Sequence, residues 1–201
     1  MRAIVDIETD SLDATKIHCV VAKDIDTGKV YPFPPNLLHG FRDWSHGVDQ
    51  FIMHNGLSFD APMCNKFLGT NIKPNQVTDT LILSQLFNPI REGIKPHSLG
   101  TWGDRLGMPK GSVESYKVYT PETLEYCKKD VAITHKLYQV LQQEGKNFSS
   151  FSIDLEHKIR VILDQQQHNG FALDLQKTMC LYNKLKDEAY GLEKWGRTYF
   201  D

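Results

Sequence analysis

Two carboxylates two residues apart, Asp6 and Glu8, end the run Arg2-Ala3-Ile4-Val5-Asp6-Ile7-Glu8, whose apolar β-branched residues predict a buried strand. Side chains alternate along a strand, so both acids point the same way. Like charges held together in a buried place repel, and no Lys or Arg adjoins the pair; a divalent cation would relieve that repulsion. The plainer reading is a strand that reaches the surface with both acids solvated. Asp60 closes the segment His54-Asn55-Gly56-Leu57-Ser58-Phe59-Asp60, just after a second apolar run at 51–54. If these two strands are neighbours, their carboxyl ends share the crevice where open α/β sheets bind ligands, and Asp60 joins the first pair. Its plainer role is as helix N-cap before Ala61-Pro62-Met63. Tyr126 and Asp130 stand four residues apart in an expected helix capped by Thr120, so a phenol and a carboxylate project from one face. A core-edge tyrosine beside a surface aspartate is the alternative.

The elements that must position these groups follow from periodicity. Strands are expected at 2–8, 17–23, 29–33 and 51–54, with the middle two joined at Asp26-Thr27-Gly28. Helices are expected near 36–46 and at 60–68, 79–87, 98–106, 121–143, 153–168 and 175–195. The 201 residues are 40% hydrophobic and 24% charged, the balance of a globular chain. Formal charge is −2, which argues against nucleic-acid binding by bulk positive charge. It is unevenly spread: residues 1–60 carry five Lys/Arg against nine Asp/Glu, whereas 91–129 carry seven against five, so an acidic centre faces a mildly basic flank. Cys19, Cys64, Cys127 and Cys180 are far apart, without a metal-finger spacing, and read as reduced. No apolar run approaches a membrane span and no signal peptide develops after Met1; a cytoplasmic protein with no membrane partner is expected.

D-x-E on a strand, N-x-x-x-F-D at a strand-to-helix turn and Y-x-x-x-D on a helix occur in that order. Together they resemble the DEDD superfamily of 3′–5′ exonucleases in its tyrosine-bearing subclass, with Asp6, Glu8, Asp60, Tyr126 and Asp130 matching its signature. Asp6-Ile-Glu-Thr-Asp-Ser-Leu12 is similar to the proofreading domain of family A (polymerase I type) DNA polymerases. His54-Asn-Gly, Asp79-Thr-Leu-Ile-Leu-Ser and Trp102-Gly-Asp-Arg-Leu-Gly107 resemble the versions in short-tailed (podovirus) phage polymerases. Leu155-Glu-His-Lys and His168-Asn-Gly-Phe-Ala-Leu-Asp174 resemble the entry into the polymerase portion of that family. The resemblance implies an α/β, RNase H-like mixed sheet of about five strands flanked by helices. It divides the chain into an exonuclease domain at 1–147 and a helical extension at 148–201, without polymerase motifs.

The activity implied is metal-dependent hydrolysis of DNA from single-stranded or frayed 3′ ends, releasing 5′-mononucleotides as the editing part of a phage-type polymerase, in the cytoplasm of an infected bacterial host. Two metal ions can activate the water and stabilise both the attacking and the leaving oxygens, and carboxylates without His or Cys ligands favour hard ions, hence Mg²⁺, with Mn²⁺ as a substitute. On the resemblance, Asp6 bridges both ions, Glu8 and Asp130 hold the ion carrying the attacking water, and Asp60 supports the second. With an ordinary pKa near 10, Tyr126 orients that water rather than deprotonating it. Thr9, Leu12 and Asn55 take substrate-binding positions, Leu12 as an apolar wedge against the terminal bases. Lys95, Arg105, Lys110, Lys117, Lys128 and Lys129 are candidates to meet phosphates. The expected partners are a single-stranded DNA 3′ end and a DNA polymerase module in the same or a separate chain. Two other readings remain: a ribonuclease D-like RNA exonuclease, and a non-catalytic nucleic-acid-binding or scaffolding module.

Overall fold

The computed structural model describes residues 1–112, 115 and 117–200. Its centre is a five-stranded mixed sheet in the order β3-β2-β1-β4-β5, built from β1 (Arg2–Thr9), β2 (Ile17–Asp24), β3 (Val30–Phe33), β4 (Gln50–Met53) and β5 (Val77–Asp79). The first three strands form an antiparallel meander. β4 and β5 then add in parallel on the other side of β1. A doubly flanked central strand must be apolar on both faces, and β1 obeys this only in its first half. Ala3, Val5 and Ile7 enter one core layer and Ile4 the other, but the face that begins with Ile4 continues with Asp6 and Glu8. The sheet face therefore changes from apolar to acidic toward the carboxyl end of β1. There the pairing with β2 shifts register between Glu8 and Thr9, an irregularity of the kind that re-aims side chains beside functional sites.

On the Val5 face lie α1 (Leu38–Ser45) and α2 (Asp60–Leu68), with Phe41, Ala61 and Cys64 buried against the strands. On the Ile4 face lies α5 (Pro121–Glu144). Thr120 opens it, its backbone N–H donating to Thr123 Oγ1 at 3.1 Å, and Pro121 occupies the first turn, where its missing donor costs nothing. Cys127, Val131 and Tyr138 of α5 face the sheet, whereas Ile133, Leu137 and Leu141 face α3 (Thr80–Phe87) and α4 (Leu99–Arg105) through Leu83, Leu99 and Trp102. One long helix thus packs on two layers, which fixes its rotation and the direction of Tyr126 and Asp130. No helix among the described residues is long and apolar enough to cross a membrane.

The expected elements are present with shifted ends. A short 3-10 turn at Pro35–Leu37 precedes α1, and α6 (Ser150–Asn169) and α7 (Leu175–Phe200) run longer than expected. β5 has only three residues, too few for an alternation to be read, and it was absent from the expected set. By contacts the chain forms two units, residues 1–164 and 165–201. In the first, Val161 and Ile153 of α6 join the core layers. In the second, α7 carries exposed Leu181, Leu185 and Leu192, and Trp195 pairs with Tyr199 at 4.9 Å.

Candidate active site

Asp6 and Glu8 project from the last half of β1 into a cavity of about 470 Å³, and Asp60, Tyr126 and Asp130 line the same cavity. Thr9, Leu12 and Asn55 also line it, so all eight residues singled out in the sequence meet in one place. Glu8, Asp60 and Asp130 are buried, which sets aside the reading of idle surface acids. Asp60 is the first residue of α2, but the cap position belongs to Phe59 and no side chain caps the helix. The carboxylate of Asp60 is turned into the cavity instead. Leu12 is 91% exposed at the cavity wall and covers no core.

The turn that delivers Asp60 is tightly determined. Asn55 adopts φ 63°, in the left-handed region that Asn tolerates better than most residues. A Cβ on Gly56 would fall 2.1 Å from Cβ of Met53, so only glycine fits. Asp79, 1% exposed at the end of β5, then ties the turn down: its carboxylate accepts from the backbone N–H of Asn55 (2.9 Å), Leu57 (3.1 Å) and Leu81 (2.9 Å). The last of these also caps α3. His54 is locked against Thr80 Oγ1 at 2.9 Å, and burial, reinforced by the charge of Lys110, lowers its pKa to about 4. It lines the cavity as a neutral ring, consistent with a site whose chemistry does not require histidine.

Two partners appear that sequence spacing does not reveal. Lys110, from the segment after α4, places Nζ 2.6 Å from Oδ2 of Asp130 and 4.8 Å from the Tyr126 ring centre. Of the six basic residues considered for phosphate contact, it is the one that lines the cavity. Arg105 donates instead to the carbonyls of Pro96 and Glu92, and Lys128 pairs with Glu125 on the surface. The second is Cys127, whose thiol donates to the carbonyl and to Oδ2 of Asp6, each at 3.3 Å. It follows Tyr126 on α5 and so faces the sheet beneath the cavity.

The electrostatics are those of an under-neutralised acidic cluster. Burial above all, then Asp130, Asp60 and Glu8, raises the Asp6 pKa well above the usual range. Burial and then Asp130 lift Glu8 to about 7, and burial and then Asp79 lift Asp60 to about 8. Asp130 is raised by burial, with Lys110 opposing. One ammonium cannot balance four carboxylates, and Oδ1 of Asp130 is buried without a hydrogen-bond partner. Both features fit a site that accepts hard cations. Among the described residues, the ligand atoms of Asp6, Glu8 and Cys127 lie within 4.8 Å of one another. Burial pushes the Cys127 thiol pKa well up, so it serves as a donor to Asp6 and the oxygens remain the available ligands.

No protein-family model matches the chain. A search of characterised proteins finds the DNA-directed DNA polymerase of Escherichia phage T7, 24% identical over 231 aligned positions that cover 85% of this chain and 33% of the polymerase. The chain thus spans about a third of that relative's length. Among solved structures, the Brucella melitensis nuclease NrnC with bound Mg²⁺ superposes with a TM-score of 0.62 at 21% identity, covering 87% of this chain and 89% of that one. NrnC bound to pGG gives the same score at 22% identity, covering 87% and 88%. The catalytic core of RRP6 from Trypanosoma brucei follows at 0.60 and 16%, covering 82% and 46%. With its mixed five-stranded sheet and the acid cluster at the end of the central strand, the chain has the RNase H-like fold of the DEDD-type 3′–5′ exonucleases.

Proposed function

We propose that this chain is a metal-dependent 3′–5′ exonuclease that trims DNA from single-stranded or frayed 3′ ends, releases 5′-mononucleotides and acts as the proofreading part of a phage-type DNA polymerase. The observation that carries the reading is the convergence of Asp6, Glu8, Asp60, Tyr126 and Asp130, drawn from a strand, a turn and a helix, on one acidic cavity in which Glu8, Asp60 and Asp130 are buried. Asp6, Glu8, Asp60 and Asp130 would hold two Mg²⁺ or Mn²⁺ ions, in keeping with the raised pKa values and the unpartnered Asp130 oxygen. Such ions, when bound, lower the pKa of water and stabilise the attacking and leaving oxygens of a phosphodiester.

The chain's own groups supply the rest. Tyr126, which lines the cavity beside Lys110, orients the attacking water. Lys110, beside Tyr126 and Asp130, offers a positive charge where a phosphate would enter. Leu12 stands exposed at the cavity wall, where it wedges against the terminal bases. Thr9 and Asn55 hold the 3′ terminus. Selectivity for mismatched ends needs no base reading: a paired end must first give up stacking worth on average about 1.4 kcal/mol per step, and a mismatched end gives up less.

The test is a 5′-labelled oligonucleotide with Mg²⁺. Stepwise 3′ shortening, faster on single strands than on matched duplex and lost in Asp6→Ala, supports the proposal; no shortening, or shortening unaffected by Asp6→Ala, removes it. A ribonuclease D-like preference is the second reading, favoured by the fold shared with the NrnC complex with pGG along most of both chains. Competing deoxy and ribo oligonucleotides of one sequence separate the two.

A further inference from the structure

Helix α6 lies outside the segment expected to do the chemistry, yet one of its faces is bonded to the turn that carries Asp60. The backbone N–H of Asp79 donates to Nε2 of His157 at 2.9 Å, while Nδ1 of the same ring meets the carbonyl of Ile153 at 2.8 Å. The ring is thereby a neutral tautomer with its proton on Nδ1. One turn on, Nε of Arg160 donates to Oγ of Ser58 at 2.7 Å, and Ser58 donates to Oδ2 of Asp164 at 2.6 Å. Asp164 closes the triangle with Arg160 at 3.1 Å. Positions 153, 157, 160, 161 and 164 follow helical spacing, so they form one face. Ile153 and Val161 seat that face on the core.

Both attachments act on the same short piece of backbone. His157 holds the main chain of Asp79, whose carboxylate holds the N–H groups of Asn55 and Leu57. The carbonyls of Asn55 and Gly56 in turn accept from Phe59 and Ala61, which brackets Asp60. Ser58, held by Arg160 and Asp164, stands two residues before Asp60. We infer that His157, Arg160 and Asp164 are positioning residues of the active site, clamping the 54–60 turn so that Asp60 and Asn55 keep their places in the cavity. Resting on the exonuclease reading for its catalytic consequence, the inference extends the working nuclease to Asp164, beyond the expected limit at 147. A displacement of α6 would be felt directly at Asp60.

The test uses the full chain with His157→Leu, His157→Gln and Arg160→Met. Leucine removes the acceptor for the Asp79 N–H, whereas the glutamine side-chain oxygen can replace it. Two readouts are taken: amide hydrogen exchange at Asn55 and Leu57 without substrate, and kcat and KM for Mg²⁺-dependent trimming of a labelled oligonucleotide. Small misplacements of reacting groups can cost up to about a hundredfold. Expected is a loss in kcat of about tenfold to a hundredfold for His157→Leu and Arg160→Met, with any rise in KM confined to the loosened Asn55, and recovery of both in His157→Gln. Exchange at both amides should quicken by about tenfold in His157→Leu, with the remaining β-sheet amides still protected. Unchanged exchange at Asn55 and Leu57, or kcat within twofold of the parent in the folded His157→Leu and Arg160→Met proteins, overturns the clamp. If the parent chain trims nothing while its exchange pattern responds as described, the clamp stands and the exonuclease reading fails.

Discussion

Nζ of Lys110 lies 2.6 Å from Oδ2 of Asp130, so a lysine twenty residues away in sequence neutralises one member of a cluster that divalent ions would otherwise have to quiet alone. The pair is nearly buried on the aspartate side and about a quarter open on the lysine side, with side-chain exposures of 3% and 28%. Lys110 is therefore both a stabilising countercharge and a competitor for the negative charge of Asp130, holding Oδ2 while Oδ1 stays unpartnered.

Replacing it by methionine should move two quantities in opposite directions. Without metal, Lys110→Met strands a buried carboxylate and should cost about 1–3 kcal/mol of stability. With the competing ammonium gone, Mg²⁺ or Mn²⁺ should bind more tightly than to the parent. Calorimetric titration and thermal unfolding in chelator check both, and equal metal affinity in the two proteins would rule out the competition.

The raised pKa values of Glu8 and Asp60, about 7 and about 8, set a pH dependence for the metal-free protein. In the unfolded chain these groups titrate near 4. Between roughly pH 4 and 8 the unfolded state therefore sheds protons that the folded state retains, and stability falls as pH rises through that window. In chelator, Tm should be higher at pH 5 than at pH 8. Added Mg²⁺ should restore Tm most at pH 8, where the carboxylates are easiest to ionise. A Tm that climbs from pH 5 to pH 8 in chelator would contradict this.

Gly56 tests the turn. A Cβ there meets Met53 at 2.1 Å, with Sδ of the same residue at 2.7 Å, so the backbone must move. Gly56→Ala should cost about 1–3 kcal/mol as an overpacked site. For a chain of this size that is a fall in Tm of about 3–10 °C. It should also reduce trimming activity because Asp60 follows four residues later. Calorimetry with an activity assay below Tm reads both effects.

Tyr126→Phe and Leu12→Ala separate chemistry from substrate holding. The first should lower kcat by about tenfold to a hundredfold with little change in KM, because the hydroxyl that orients the water is lost while the ring stays in place. The second should leave folding untouched, since Leu12 is 91% exposed, and should raise KM for single-stranded ends. A Leu12→Ala protein with unchanged KM would remove the wedge from the mechanism.

The site was legible wherever its geometry is local. Asp6 and Glu8 share a face because a strand repeats every two residues, and Tyr126 and Asp130 share one because a helix repeats every 3.6; both follow from backbone periodicity without any tertiary contact. Asp60 was harder, since a helix-capping role explains the same Asp-Ala-Pro; only its burial and the cap at Phe59 decide against that. The three-residue β5 was too short to show a period, although its last residue, Asp79, turns out to organise the active-site turn.

By itself the amino-acid order determined the inventory and the facing of the acids: which residues could act, on which kind of element, and with which neighbour at short range. Tertiary structure alone decided their charge balance and their support. Lys110 meets Asp130, Cys127 meets Asp6 and α6 holds the 54–60 turn across separations of 20 to 121 residues. Short-range geometry comes from dihedral angles that each residue carries with it. Long-range pairing depends on which faces pack together, on how much water they exclude, and therefore on which buried charges must find a partner.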